Sequence, residues 1–248
     1  MPSSQDPEQG GPRRRSLSAT PGGVSWPARP LSVPEVLLGY LLALVAAGIT
    51  SGVVGLVTLD DNGPLMLLGG QVSLWGGFIG VVVFARSRPG APRYVGAIRS
   101  EFHPSDVLGL VVGVMTQLVL LPLLYLPFRS WFAEDDLSAP AEDLLADFNG
   151  ILLVLMGVGV VLVAPVVEEL FFRGLLLGTL RERWGTLAAV TGSSVFFGAT
   201  HFQPLQFAGL TAAGLVFATA VVKTGRLGSA IAVHVGFNAT TFAALVVL

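Results

Sequence analysis

Six stretches without a single Asp, Glu, Lys or Arg dominate this chain: residues 36–59, 62–85, 107–128, 148–167, 184–222 and 227–248. Each reaches the roughly 20 residues that span a bilayer core, and the fifth is nearly long enough to cross twice. A turn near Phe202, Gln203 and Pro204 would divide it, for about seven crossings in all. Backbone amides in hydrocarbon need partners within their own segment, so each crossing must be a helix. The predicted fold is all-α, a polytopic transmembrane helix bundle.

Composition closes off other classes. The 248 residues are 52% hydrophobic and 12% charged, where soluble domains carry about 25% charge. A net charge of −2 and the lack of a basic stripe with interleaved aromatics set nucleic acid aside as a partner. With no cysteine there is neither a disulfide framework nor a thiolate nucleophile. The expected surroundings are a lipid bilayer, as an integral multi-pass protein of the cell (plasma) membrane.

Residues 1–33 are rich in Pro, Gly, Ser and Arg without apolar periodicity, as in a disordered tail. Arg13, Arg14 and Arg15 lack a following apolar region, so they read as a topology anchor rather than a twin-arginine signal. The positive-inside rule then places the N-terminus in the cytoplasm. On that side fall Arg86, Arg88, Arg93, Arg99, Arg181, Arg183, Lys223 and Arg226. Outside fall Asp60 and Asp61, then an acidic loop with Glu134, Asp135, Asp136, Glu142, Asp143 and Asp147. Arg129 is the exception, and the C-terminus ends outside. The division is a tail at 1–33, three crossings plus the acidic loop at 34–147, and a second membrane unit at 148–248. Gly76/Gly80, Gly109/Gly113 and Gly174/Gly178 repeat at i, i+4, a spacing that lets helix backbones approach.

Polar residues inside this oil carry the chemistry. Glu168, Glu169 and Arg173 stand among Val166, Val167, Leu170, Phe171 and Phe172. A carboxylate at membrane depth costs about 2.5–3.5 kcal/mol on insertion scales, so it marks a functional site by default. Glu169 and Arg173 share a helix face at i, i+4, whereas Glu168 points about 100° away. One glutamate can thus be held while its neighbour stays free. The bland alternative is a pair of glutamates at the cytoplasmic mouth, held by Arg173, Arg181 or Arg183. His201 follows Phe197 by one turn, and His234 and Asn238 share a face at i, i+4. Singly, these read as capping or interhelical hydrogen bonds. Together they supply what peptide hydrolysis needs: a carboxylate base for water, an imidazole to orient it, and an imidazole with an amide to meet an oxyanion. His103, in a polar loop before the third crossing, suits a helix start. Measured straight from Arg183, His201 lies about 27 Å along a helix and would overshoot the other groups. They converge if residues 184–189 run along the interface, anchored by Trp184.

The ordered set Glu168-Glu169-x-x-x-Arg173, Phe197-x-x-x-His201 and His234-x-x-x-Asn238 resembles the signature of the CPBP intramembrane proteases, also called the Abi family, related to type II CAAX prenyl endopeptidases. The resemblance covers roughly residues 148–248, the expected catalytic core. It implies an endopeptidase with a cavity opening to the cytoplasm. By residue it implies Glu168 as base, His201 as its partner on the water, His234 and Asn238 as oxyanion stabilisers, and Glu169 with Arg173 as support. The substrate would be a membrane protein or peptide, including lipidated ones; the seven-crossing count lacks the final crossing of the eukaryotic prenyl-protein enzymes. No cofactor is expected. Three alternatives stand: a metalloprotease with zinc on Glu168, His201 and His234, a non-catalytic binding or immunity protein using the same cavity, and a proton-coupled transporter.

Overall fold

A computed structural model describes residues 31–59, 63–88, 103–128, 130 and 135–247. The tail therefore lies outside the described residues up to residue 30, as do Arg93, Arg99, Arg129, Asp60, Asp61 and Glu134. Helix α1 spans Val33–Thr58, α2 Pro64–Ser87, α3 Pro104–Phe128, α4 Asp135–Leu145, α5 Gly150–Ala199, α6 Phe207–Thr224 and α7 Leu227–Val247. Six of these are long and apolar enough to span a membrane. The longest, α5, is broken at Gly185, whose φ of 82° and ψ of 175° no helix contains. Its two legs, 150–184 and 186–199, bring the number of passages among the described residues to seven, and the chain is a multi-pass membrane protein.

The break resolves the depth of His201 differently from the expected interfacial stretch. Helix resumes at once after Gly185, and Ala189 is already fully buried. The legs form an antiparallel hairpin in which Gly192 lies against Leu180, and Phe197 meets Phe172 with ring centroids 5.2 Å apart. That register carries His201 back to the level of Glu168. Only a residue tolerant of φ > 0 permits so abrupt a reversal, and glycine is the default choice.

Chain ends alternate between two ends of the bundle. One holds the start of α1, the end of α2, the start of α3, the α5 hairpin turn and the α6–α7 turn. Arg88 reaches Glu35 there at 3.2 Å, and Arg226 reaches Asp106 at 2.6 Å. His103 caps α3, its Nδ1 accepting from the Ser105 N–H at 3.2 Å, as its loop position suggested. At the opposite end Tyr125 ties α3 to the α5–α6 turn, donating to the Leu205 carbonyl at 2.8 Å. The acidic segment there is not a loop: residues 135–145 form helix α4.

Close backbone approach occurs at some of the expected glycines. A Cβ on Gly109 or Gly113 would meet the backbone of α7 around Ser229, Val233 and Phe237, so α3 and α7 are held together there by van der Waals contact. Gly76 and Gly80 face open space instead, while Gly77 abuts Ala43 of α1. The i, i+4 spacing identified a helix face but not the face that is covered.

Candidate active site

Glu169 and Arg173 are both fully buried. The Arg173 guanidinium donates to Glu169 Oε1 at 2.8 Å and to the Gly214 carbonyl at 3.1 Å. Its carbon lies 4.6 Å from the ring centre of Phe197, 5.2 Å from Phe217 and 5.8 Å from Phe172. A desolvated cation gains from such aromatic faces as well as from its counter-ion. The bland reading, a solvated pair at a membrane mouth, does not describe this Glu169, which has no exposed surface.

The same Glu169 oxygen accepts from His234 Nδ1 at 3.0 Å. An ionised acceptor fixes the proton on Nδ1 and leaves Nε2 facing Glu168, 3.8 Å from Oε2. That gap exceeds a hydrogen bond. His234 is otherwise clamped by rings, stacked on Phe217 at 4.4 Å and edge-on to Phe197 at 5.6 Å. Glu168 is 17% exposed and hydrogen-bonds to no described side chain or backbone group. Adjacent glutamates therefore have opposite circumstances, one immobilised and one open.

His201 donates from Nδ1 to the Phe197 carbonyl at 2.7 Å. A carbonyl only accepts, so Nδ1 carries a proton and Nε2 of the neutral ring keeps its lone pair. Asn238 donates to the Val160 carbonyl at 2.8 Å. That carbonyl is free for a local reason: residues Gly159–Val163 form a π turn, with the Ala164 N–H bonded to the Gly159 carbonyl. In that i→i+5 register Val160 would look to Pro165, which has no N–H. The Asn238 amide fills the vacancy and keeps its second hydrogen.

Glu168, His201, His234 and Asn238 line a single cavity of about 230 Å³, with Val160, Ala164, Phe197 and Phe237 in its wall. Residues not anticipated from sequence complete it: Gln71 and Trp75 from α2, Leu145 from α4, Leu210 from α6, and Thr241, Phe242 and Leu245 from α7. Gln71 had a readable signal, a carboxamide inside a charge-free run. Leu145 had none while its segment read as a loop. Among the described residues no three His, Asp or Glu side chains are grouped closely enough to hold a metal ion.

A carboxylate, two imidazoles and a carboxamide thus line one semi-enclosed cavity in a polytopic bundle of helices long and apolar enough to span a membrane. Residues 150–240 match a family model described as type II CAAX prenyl endopeptidase Rce1-like, a family of proteases. That segment contains all seven residues of the three motifs, and the resemblance read from them holds over it. No curated protein and no solved structure matches the chain.

Proposed function

We propose that this protein is an intramembrane endopeptidase of the cell membrane that hydrolyses a peptide bond in a membrane-associated or lipidated protein or peptide. The observation that carries the reading is the division of labour between the two glutamates. Glu169 is fully buried with one oxygen held by both Arg173 and His234, which leaves Glu168 as the carboxylate that lines the cavity and can act on water there.

In this mechanism Glu168 takes a proton from a water whose other hydrogen is accepted by Nε2 of His201. The resulting hydroxide attacks the carbonyl carbon of the scissile bond. Asn238 Nδ2, with its unused hydrogen, donates to the oxyanion. His234, held through Nδ1 by Glu169, turns Nε2 toward the same cavity beside it. Collapse of the tetrahedral intermediate breaks the C–N bond, and the proton on Glu168 passes to the departing amine. Preorganised donors of this kind supply a large part of catalysis in a water-poor site.

Comparison of membrane proteomes from cells carrying the wild-type and Glu168→Gln proteins tests this reading. A peptide that accumulates uncleaved with Glu168→Gln is expected, with the variant present at normal level. Unchanged cleavage products in the variant would overturn it. Activity lost on chelation and restored by stoichiometric zinc would favour the metalloprotease instead.

A further inference from the structure

The cavity has a direction. Its wall on α7 is His234, Phe237, Asn238, Thr241, Phe242 and Leu245, one helical face that runs about 16 Å from His234 toward the C-terminal end. Gln71 lies near the start of α2, Leu210 near the start of α6, and Leu145 at the end of α4. All of these belong to the same end of the bundle, the one that also carries the exposed acids Glu142, Asp143 and Asp147.

Toward the other end the polar centre is plugged. Leu176, Leu177, Leu180, Val221, Leu227 and Ile231 are all buried between it and the α5 and α6–α7 turns. A separate cavity of about 610 Å³ opens there beside Ser105, Lys223 and Arg226, but none of the seven motif residues lines it. Every described Lys or Arg except the buried Arg173 lies at this plugged end: Arg86, Arg88, Arg181, Arg183, Lys223 and Arg226. Basic loops mark the cytoplasmic side of a membrane protein.

We propose that the cavity opens on the face opposite the basic loops, the non-cytoplasmic one, so that its substrate is an exported or membrane-embedded polypeptide segment presented from outside. The substrate part of this statement rests on the endopeptidase reading; the direction of the opening does not. A cytoplasmic mouth, as the motif resemblance implies, would have to pass through the leucine plug. The lining fits an apolar segment with a few polar contacts: Trp75, Phe242, Leu145, Leu210 and Leu245 for side chains, Gln71 and Thr241 for backbone.

The chain contains no cysteine, so single cysteines report side and access without background. Phe202→Cys, at an exposed turn, reads the side of the cavity end. Thr241→Cys reads the cavity itself, and Lys223→Cys reads the basic end. With a membrane-impermeant maleimide on intact cells, Phe202→Cys and Thr241→Cys are expected to label, and Lys223→Cys only after lysis. Labelling of Lys223→Cys in intact cells with the other two protected would overturn the proposal. So would a Thr241→Cys protected from outside while Phe202→Cys reacts, since the cavity would then not open on that face. Labelling needs no turnover, so it stands or falls separately from the Glu168→Gln proteome comparison.

Discussion

The two halves of the polar centre are built from the same residue types and treated oppositely. Around Glu169 the groups are sealed: the carboxylate pairs with Arg173, three aromatic rings surround that guanidinium, and neither residue is exposed. Around Glu168, one residue away, the wall falls back into a cavity and the carboxylate keeps no hydrogen-bond partner among the described residues. The sealed half explains how charge persists in a membrane core, since each buried ion there has its counter-ion within hydrogen-bond distance and an unpaired one would be far more costly. The open half is where unmet valence is left for a substrate. A helix periodicity of 3.6 separates neighbours by about 100°, which is enough to give two identical side chains different surroundings.

Breaking the sealed half should have the largest effect. Arg173→Met leaves Glu169 buried without its counter-ion, at a cost of about 3–5 kcal/mol. The expected outcome is loss of monodisperse protein after extraction, and a normal melting profile would show that the pair does not hold the centre. Next in size is the open half, where Asn238→Ala removes an oxyanion donor and should lower turnover by about 10²–10³-fold. It also frees the Val160 carbonyl, so a melting temperature lowered by the equivalent of about 1 kcal/mol accompanies it. Turnover preserved in a folded variant would remove Asn238 from the proposed chemistry.

A smaller contrast tests the scaffold. Gly77→Leu places a side chain against Ala43 and should cost about 1–3 kcal/mol by overpacking. Gly76→Leu points into open space and should change melting by about 0.5 kcal/mol or less. Equal effects at the two positions would mean that the α1–α2 contact is not as described.

That contrast also shows what can be read from sequence and what cannot. The crossings are legible because absence of charge is itself the signal, and the polar residues are legible because they stand out against it. The pairing of Glu169 with Arg173 follows from spacing alone. Three features were hidden because they depend on backbone register. The π turn before Pro165 exposes the Val160 carbonyl that Asn238 takes, and no periodicity announces it. The reversal at Gly185 sets the level of His201, where a smooth helix would have carried it too far. The acidic segment hides α4, whose Leu145 reaches the cavity, because clustered acids and a central Pro140 read as loop. Which glycine face is covered likewise needs the neighbouring helix, not the repeat.

The central claim is that Glu168 works while Glu169 holds. Its most direct test is to melt purified Glu168→Gln and Glu169→Gln side by side in one detergent, with the accumulation of uncleaved peptide followed in the same cells. The account predicts that Glu168→Gln melts like wild type, within about 0.5 kcal/mol, and abolishes cleavage. Glu169→Gln, which strands a buried guanidinium, should melt far lower. A stable, cleavage-deficient Glu169→Gln beside an unstable or fully active Glu168→Gln would contradict it.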